Sequence, residues 1–532
     1  MSSSFISYQT TGTLPALVQE LMDMNPLLEP FYKAPPTLDH FGSQMTAKTA
    51  NYTEQHRIIL AERLHAQYNH LKPNSSIKAQ IDALKQANTF TVTTGHQLNL
   101  MGGPLFFLYK IISVINLANT LKANYPNSNV VPVFWMASED HDFEEINHFY
   151  FKEHRLEWHR LSNGPVGRLS TSELQTVFNQ FSKQLGTTAY SNDLKIMFET
   201  AYLKSNNLAD ATRALVHQIF GDDGLLVIDG DDADLKRLFV PTLSDELSNK
   251  VVFNQVNTTN KALKSIHKSF KIQVNPRPIN LFYTTDNSRA RIEEKDGIFR
   301  VLDTNLKWDL KGILKELETH PDRFSPNVLM RPLYQETILP NLCYVGGGGE
   351  LSYWLQLKST FDCWNITFPL LLHRNSALII SKKQEENLEK LQLTTADLFA
   401  SRDKLAKTLI GSQPQLIDFT QQKNHIKQQF KALYSVAKQT DASFLGAVSA
   451  QEQKQINGLM NLEKRLLKAE KRKHKTQIDK ALALQSMLFP EGNLQERRIN
   501  FSTFYAHYGQ SFIETLKLEL DPFQQGFTTI SL

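Results

Sequence analysis

Cysteine is almost missing: the chain of 532 residues has two, Cys343 and Cys363. Two thiols cannot make a disulfide framework, and a chain this long buries enough surface to need no such staple. Such sparing use fits a reducing, cytoplasmic compartment. Long apolar runs are also missing. The longest, such as Val130 to Ala137, are strand-length, well short of the ~20 residues that span a bilayer. The opening Met1-Ser-Ser-Ser lacks the basic and apolar regions of a signal peptide. No membrane partner is expected. Neither sign of charge dominates, the net being +4, so nucleic acid is not demanded and an anionic small molecule is not excluded. The Gly-Lys-Ser/Thr of a Walker A loop and the dinucleotide GxGxxG are both absent. There is no internal repeat or low-complexity tract.

What is present divides the chain by rhythm. Residues 1–85 read mainly as helix, with apolar spacing from Leu14 to Met22 and Glu54 to Asn69, broken at Pro35-Pro36. Residues 86–380 alternate strand and helix. A β-branched run, Thr89 to Thr94, is followed by a helical Pro104 to Lys122, a second apolar run, Val130 to Met136, a helix from Ser138 to Ile146, and a third strand, Gly224 to Asp229. That order predicts an α/β fold with a Rossmann-like, parallel, doubly wound sheet. Two insertions are expected, near 145–220 and 255–325, the second with hairpin-like strands at Asn280–Thr284, Arg289–Glu294 and Gly297–Leu302. Cys343–Val345 and Ala377–Ile380 are expected to return to the main sheet.

From 381 to 488 glycine becomes sparse and Lys, Glu, Gln and Leu dominate. Phe419, Ile426, Phe430, Leu433 and Ala437 fall at 7-4-3-4 spacing, and Ile456, Leu459, Leu462, Leu466 and Ala469 continue beyond a turn near Asp441–Gly446. This predicts an antiparallel helical hairpin with coiled-coil character. Its basic run, Lys464 to Lys480, reads as a solvated outer face. The aromatic-rich residues 489–532 are expected to fold back on the main body.

Three segments carry chemistry. In Thr93-Thr-Gly-His-Gln-Leu-Asn-Leu-Met-Gly-Gly-Pro-Leu105, a strand hands over to a helix. Backbone amides and a helix N-terminus can meet an anion there, with Thr94, Gly95, His96, Gln97, Asn99 and Gly103 around it. Lys110, about two turns into the helix, would have to reach back to the same place. The plain alternative is a glycine-lined turn with no ligand. In Trp135-Met-Ala-Ser-Glu-Asp-His-Asp-Phe-Glu-Glu145, five of the seven residues from Glu139 are acidic. Carboxylates at a strand's C-terminal end can bind an amine or move a proton, with Asp140, His141 and Asp142 as candidates. They can equally be first-turn capping charges. His141, Glu145 and His148 would share one helical face as a metal set, but no metal site is assigned. In Asn327 to Trp354, Arg331 can pair with a phosphate or carboxylate. Gly346, Gly347, Gly348 and Gly349 form a permissive loop before Glu350, with Gln335 and Tyr353 in the same segment. Cys343, inside an apolar run, reads as a buried small hydrophobe rather than a nucleophile.

In this order the three segments resemble the cysteine-adding ligase family of bacillithiol biosynthesis. The resemblance rests on Thr94-Gly-His-Gln97 with Gly103-Pro-Leu105, on Pro132 to Glu145, on Arg331 to Gln335 with Gly346 to Glu350, and on the closing Leu494-Gln-Glu-Arg497, Asn500-Phe501 and Asp521-Pro-Phe523. It implies a Rossmann core with connecting-peptide insertions, similar to class I aminoacyl-tRNA synthetases, and a coiled-coil arm that makes a homodimer. It also implies a ligase that adds cysteine to the amino group of glucosaminyl-malate, with ATP as co-substrate; the metal requirement is left open, Mg with the nucleotide being the candidate. By that resemblance His96, Asp140, His141 and Asp142 would be catalytic. Thr94, Gly95, Gln97, Asn99, Gly103, Lys110, Trp135, Glu139, Arg331, Gln335, Gly346, Gly347, Gly349, Glu350 and Tyr353 would bind substrate or nucleotide. A synthetase route also needs a basic loop, which Ile380-Ser-Lys-Lys383 matches only faintly. The competing reading is an RNA- or nucleotide-binding protein of synthetase descent with no enzymatic activity.

Overall fold

The computed structural model describes residues 3–532 except 72, 268–269, 411–417 and 442. The chain divides into two compact units. The larger contains Ser3–Leu378 and Gln495–Thr528, the smaller Ile379–Leu494 and Thr529–Leu532.

The larger unit is built on a parallel sheet. Strand β1 (Thr89–His96) leads through helix α1 (Phe106–Asn124) to β2 (Asn129–Met136) and then to β3 (Leu226–Asp229). Nearly every residue of β1 and β2 is buried. Strands covered on both faces carry continuous apolar or β-branched runs rather than alternation, which explains why these two were readable. Helix α1 is buried along most of its length and packs on both strands, as expected of a helix that is apolar nearly all round.

The second insertion contributes an antiparallel sheet: β4 (Leu281–Thr285), β5 (Ser288–Lys295), β6 (Ile298–Val301), β7 (Lys307–Asp309) and β8 (Phe324–Pro326), in the order β7-β6-β5-β4-β8. The chain then forms α2 (Arg331–Ile338), β9 (Asn341–Gly346), α3 (Gly348–Trp354) and β10 (Leu370–His373). The central order is β10-β9-β1-β2-β3, all parallel. The chain winds from β1 to one edge and then crosses over to β9, so the order reverses between β1 and β9. In open α/β sheets ligands bind in the crevice at the carboxyl ends of such strands. His96 and Gly346 stand at those ends.

Three expectations need correction. Ser376–Ile380 is a strand, but of a separate three-stranded sheet, and Leu370–His373 takes the expected place beside β9. The helix expected from Ser138 is a single turn, Phe143–Ile146, because Ser138 turns its hydroxyl to the Asp229 carboxylate instead of capping. His148 opens a strand, His148–Phe151, so His141, Glu145 and His148 share no helical face.

In the smaller unit, α4 (Thr420–Thr440) and α5 (Phe444–Lys473) lie against each other, with α6 (Lys475–Leu488) following. Phe430 and Ala437 are buried in the seam, and Lys423–Glu463 and Tyr434–Glu452 bridge it at 2.6 and 2.9 Å. Leu433, Leu462 and Ala469 are exposed, contrary to their expected seam positions. Ala442, inside the expected turn, lies outside the described residues. Ser381 caps the helix Lys382–Lys390 reciprocally with Gln384, which makes Ile380–Lys383 an ordinary helix start. Among the described residues no helix is long and apolar enough to cross a membrane.

Candidate active site

A cavity of about 800 Å³ opens at the β1/β9 crevice, a size suited to a small-molecule site. His96 and Asp142, drawn from two different sequence segments, both line it. The strand ends form the floor. The antiparallel sheet supplies the opposite wall through Phe282, Arg289 and Arg291.

On the β9 side lies a buried charge pair. Lys110 Nζ donates to the Gly95 carbonyl at 2.7 Å and pairs with Glu350 Oε2 at 2.5 Å. Helix geometry brings it back to the strand end, so Lys110 does reach the turn. Glu350, in the first turn of α3, also accepts from the Gly347 amide at 2.8 Å and the Tyr344 hydroxyl at 2.5 Å. Burial pushes its carboxyl up, but Lys110 and these donors outweigh that and hold it at about 2. Burial, reinforced by Lys110, pushes His96 down to about 3, so it is uncharged at pH 7. Its Nε2 is buried with no hydrogen-bond partner among the described residues. Arg331 lies 5.9 Å from the Trp135 ring and 5.6 Å from that of Tyr344, and its Nη1 donates to Gln335 at 2.9 Å.

On the β2 side the acids are sorted by their partners. Glu139 pairs with the buried Lys236 at 2.7 Å, and Lys236 also holds Asp231 at 3.1 Å. Asp140 is engaged at both oxygens, by the His141 amide at 2.8 Å and by Gln97 Nε2 at 3.0 Å. Asp142 is exposed on the cavity wall and makes no capping bond to the helix it precedes. It is the carboxylate available to a ligand. Deeper in, burial and then Asp231 push Asp229 up to about 6.

His141 is set by a residue the sequence did not single out. Arg289 stacks 3.9 Å over Phe282, donates to Ser325 Oγ and the Pro326 carbonyl at 3.0 and 3.1 Å, and meets His141 Nδ1 at 3.0 Å. A guanidinium only donates, so Nδ1 accepts and the ring proton sits on Nε2. Asp140, His141 and Asp142 bring ligand atoms within 4.8 Å of one another. The Arg289 cation and the engaged Asp140 oxygens leave that set poorly suited to a metal.

Several expected site residues support the cavity from behind. Thr94 Oγ1 donates to the Val345 carbonyl at 2.7 Å, tying β1 to β9, and Asn99 Nδ2 donates to the Glu145 carbonyl at 3.0 Å. The turn at Met101–Gly103 is no anion cradle, because its amides are already used. Gly102 and Gly103 donate to Asn99 and Leu100 carbonyls, and Met101 to the Tyr202 hydroxyl. Gly102 and Gly103 have φ of 72° and 69°, a region glycine enters without strain. The four glycines after β9 do not form a loop of that kind. None has positive φ, and α3 begins at Gly348. A Cβ would come within 2.9 Å of Tyr344 at Gly346 and of Pro15 at Gly348, so close packing explains these two. Gly346, Gly347, Gly349, Gly103 and Gln335 are not on the cavity wall, whereas Gly95, Gln97, Trp135, Glu139, Glu350 and Tyr353 are. Cys343 is buried, and burial pushes its thiol well up.

Sheet order, switch-point cavity and coiled-coil segment define a Rossmann-like α/β protein with a helical arm. Residues 1–375 match the family model described as the N-terminal Rossmann-like domain of bacillithiol biosynthesis BshC, and residues 377–532 match its C-terminal coiled-coil domain. The chain belongs to the BshC family. It is 49% identical to a Flavobacterium johnsoniae protein over the full length of both, and 46% identical to one from Christiangramia forsetii over 100% of this chain and 99% of that one. A Bacillus anthracis relative is 30% identical over 82% of this chain and 83% of its own. All three bear the name "Putative cysteine ligase BshC".

Proposed function

We propose that this protein is a ligase that joins the carboxyl of cysteine to the amino group of glucosaminyl-malate, the closing step of bacillithiol synthesis. The observation that carries the reading is that His96 and Asp142 share one cavity at the sheet's switch point, in a chain whose relatives are named as cysteine ligases. Joining a free carboxylate to an amine is uphill in water, so the carboxylate must be activated. ATP, with Mg, is the proposed source of that activation.

The chain's own residues then have separable roles. Asp142 accepts the proton that the sugar ammonium must lose before it attacks. His141, with its proton on Nε2, donates to oxygen where charge develops on the activated carboxyl. His96, uncharged, offers its unpartnered Nε2 to the bound substrates. Arg289 holds His141, and Gln97 holds Asp140. The site is proposed to work in the cytoplasm, with the arm pairing two copies of the chain.

The test is direct. Purified protein is given cysteine, glucosaminyl-malate, ATP and Mg, and bacillithiol is measured by mass spectrometry. Asp142→Asn and His96→Gln are compared with the unaltered chain. Full activity in both variants removes the proposed site. No thiol product from the unaltered chain removes the ligase reading, and sedimentation at working concentration checks the pairing.

A further inference from the structure

The cavity wall has more cations than the chemistry above employs, and three of them are already engaged. Lys110 is held by Glu350, Arg289 by His141, Ser325 and Pro326, and Arg331 by Gln335. Two others, Arg277 and Arg291, also line the cavity. Both are exposed, and among the described residues neither guanidinium has an ion pair or a hydrogen bond.

The backbone that carries them is fixed. Asn280 clamps Arg277 twice, its Oδ1 accepting from the Arg277 amide at 3.1 Å and its Nδ2 donating to the Arg277 carbonyl at 2.7 Å. Asn280 is itself buried, donating to Glu246 at 3.0 Å and accepting from Asn327 at 3.0 Å. Arg291 pairs with Phe282 across β4 and β5, and it follows Arg289 by two residues on the same strand. Alternation along a strand puts it on the face that Arg289 turns to the cavity. The two guanidinium groups therefore stand on the wall contributed by the insertion, while Asp142 stands on the wall at the end of β2.

We propose that Arg277 and Arg291 form a dicarboxylate subsite, which selects an aminosugar by the small dianion it carries as aglycone. This rests on the ligase reading above and assigns the recognition of its sugar substrate. Guanidinium forks match carboxylates in a bidentate way that neutral donors do not. With the dianion on the arginine wall, the sugar amine is left for the Asp142 side. A neutral glycoside of the same sugar would keep the amine contact and lose the rest.

Calorimetry on the full chain tests this, with glucosaminyl-malate, the methyl glycoside of glucosamine and ATP as separate titrants. The unaltered protein should prefer the malate glycoside to the methyl glycoside. In Arg277→Gln/Arg291→Gln that preference should fall by about tenfold, as expected for losing two partly solvated charge contacts. Arg300→Gln, an exposed charge outside the cavity, should leave it intact. The proposal is overturned if the double variant keeps the preference, if both glycosides weaken equally, or if the loss falls on ATP, which would make these arginines phosphate ligands. Selective binding of the malate glycoside without amide formation would sink the ligase reading and leave the subsite standing.

Discussion

Glu350→Gln should destabilise the protein through a group it does not change. The substitution keeps shape but leaves Lys110 buried without its counter-charge; the lysine side chain is 5% exposed. Removing one partner of a buried ion pair costs about 3–5 kcal/mol. A second route gives a similar figure. The fall of Glu350 from 4.5 to about 2 corresponds to about 3 kcal/mol at ~1.4 kcal/mol per pKa unit. That carboxylate contribution is present above about pH 4.5 and is lost as pH falls towards 2. The variant behaves differently at high pH. Burial already lowers Lys110, and without Glu350 it falls further. The unfolded chain then binds the proton more tightly than the folded one, so stability rises with pH and the deficit narrows. Lys110→Met with Glu350→Gln should recover most of the loss, because the buried cation is gone. Urea titrations followed by tryptophan fluorescence report the site, since Trp354 stacks on Tyr344 at 4.6 Å. A single variant within about 1 kcal/mol of the parent at pH 7, or a deficit that stays flat up to pH 9, would refute the reasoning.

Asp142→Asn should lower kcat by about 10²–10⁴, the range of a lost general base, whereas Asp140→Asn, whose oxygens are already engaged, should act mainly through folding; steady-state rates beside thermal midpoints separate the two. His96 and His373 are both pushed down to about 3, so below about pH 6.5 the unfolded chain takes up protons that the folded one refuses. Each should cost up to ~1.4 kcal/mol of stability per pH unit between those values, and His96→Phe should remove about half of their joint slope in urea titrations at graded pH. Asn500 donates to the Met101 and Gly103 carbonyls at 2.8 and 2.6 Å, so Asn500→Ala should cost about 2–4 kcal/mol by stranding buried acceptors, measured by denaturation and seen locally as faster amide exchange at Met101–Gly103.

The parts of the fold legible in the sequence are those set by burial over short range. β1 and β2 are apolar runs because both faces are covered. The seam at Phe430 and Ala437 follows from helical spacing. Pairing was less legible. Leu370–His373 and Ser376–Ile380 are equally apolar neighbours, and nothing local says which joins β9. Glycine was ambiguous for a different reason. Gly102 and Gly103 are required by φ, Gly346 and Gly348 by close neighbours, and composition cannot separate these causes. Arg289 was out of reach because its partner His141 is 148 residues away in sequence, although its alternation with Arg291 on one strand was a signal that two arginines share a face.

The acidic run from Glu139 to Glu145 shows how tertiary contacts turn similar residues into different tools. In the sequence its carboxylates are interchangeable. In the fold, Lys236 takes Glu139, and Gln97 takes Asp140 and Glu145 together. Asp142 is left exposed beside the cavity. A carboxylate saturated with donors is a poor proton acceptor, because each hydrogen bond stabilises its charged form. The proposed base therefore cannot be chosen from the run itself. It is chosen by Lys236 and Gln97, and these two residues come from separate parts of the sequence, one just after β3 and the other just after β1. Moving Gln97's bonds, as Gln97→Ala would, should free Asp140 and blur the division of labour, so that Asp142→Asn costs less catalysis in that background than in the parent.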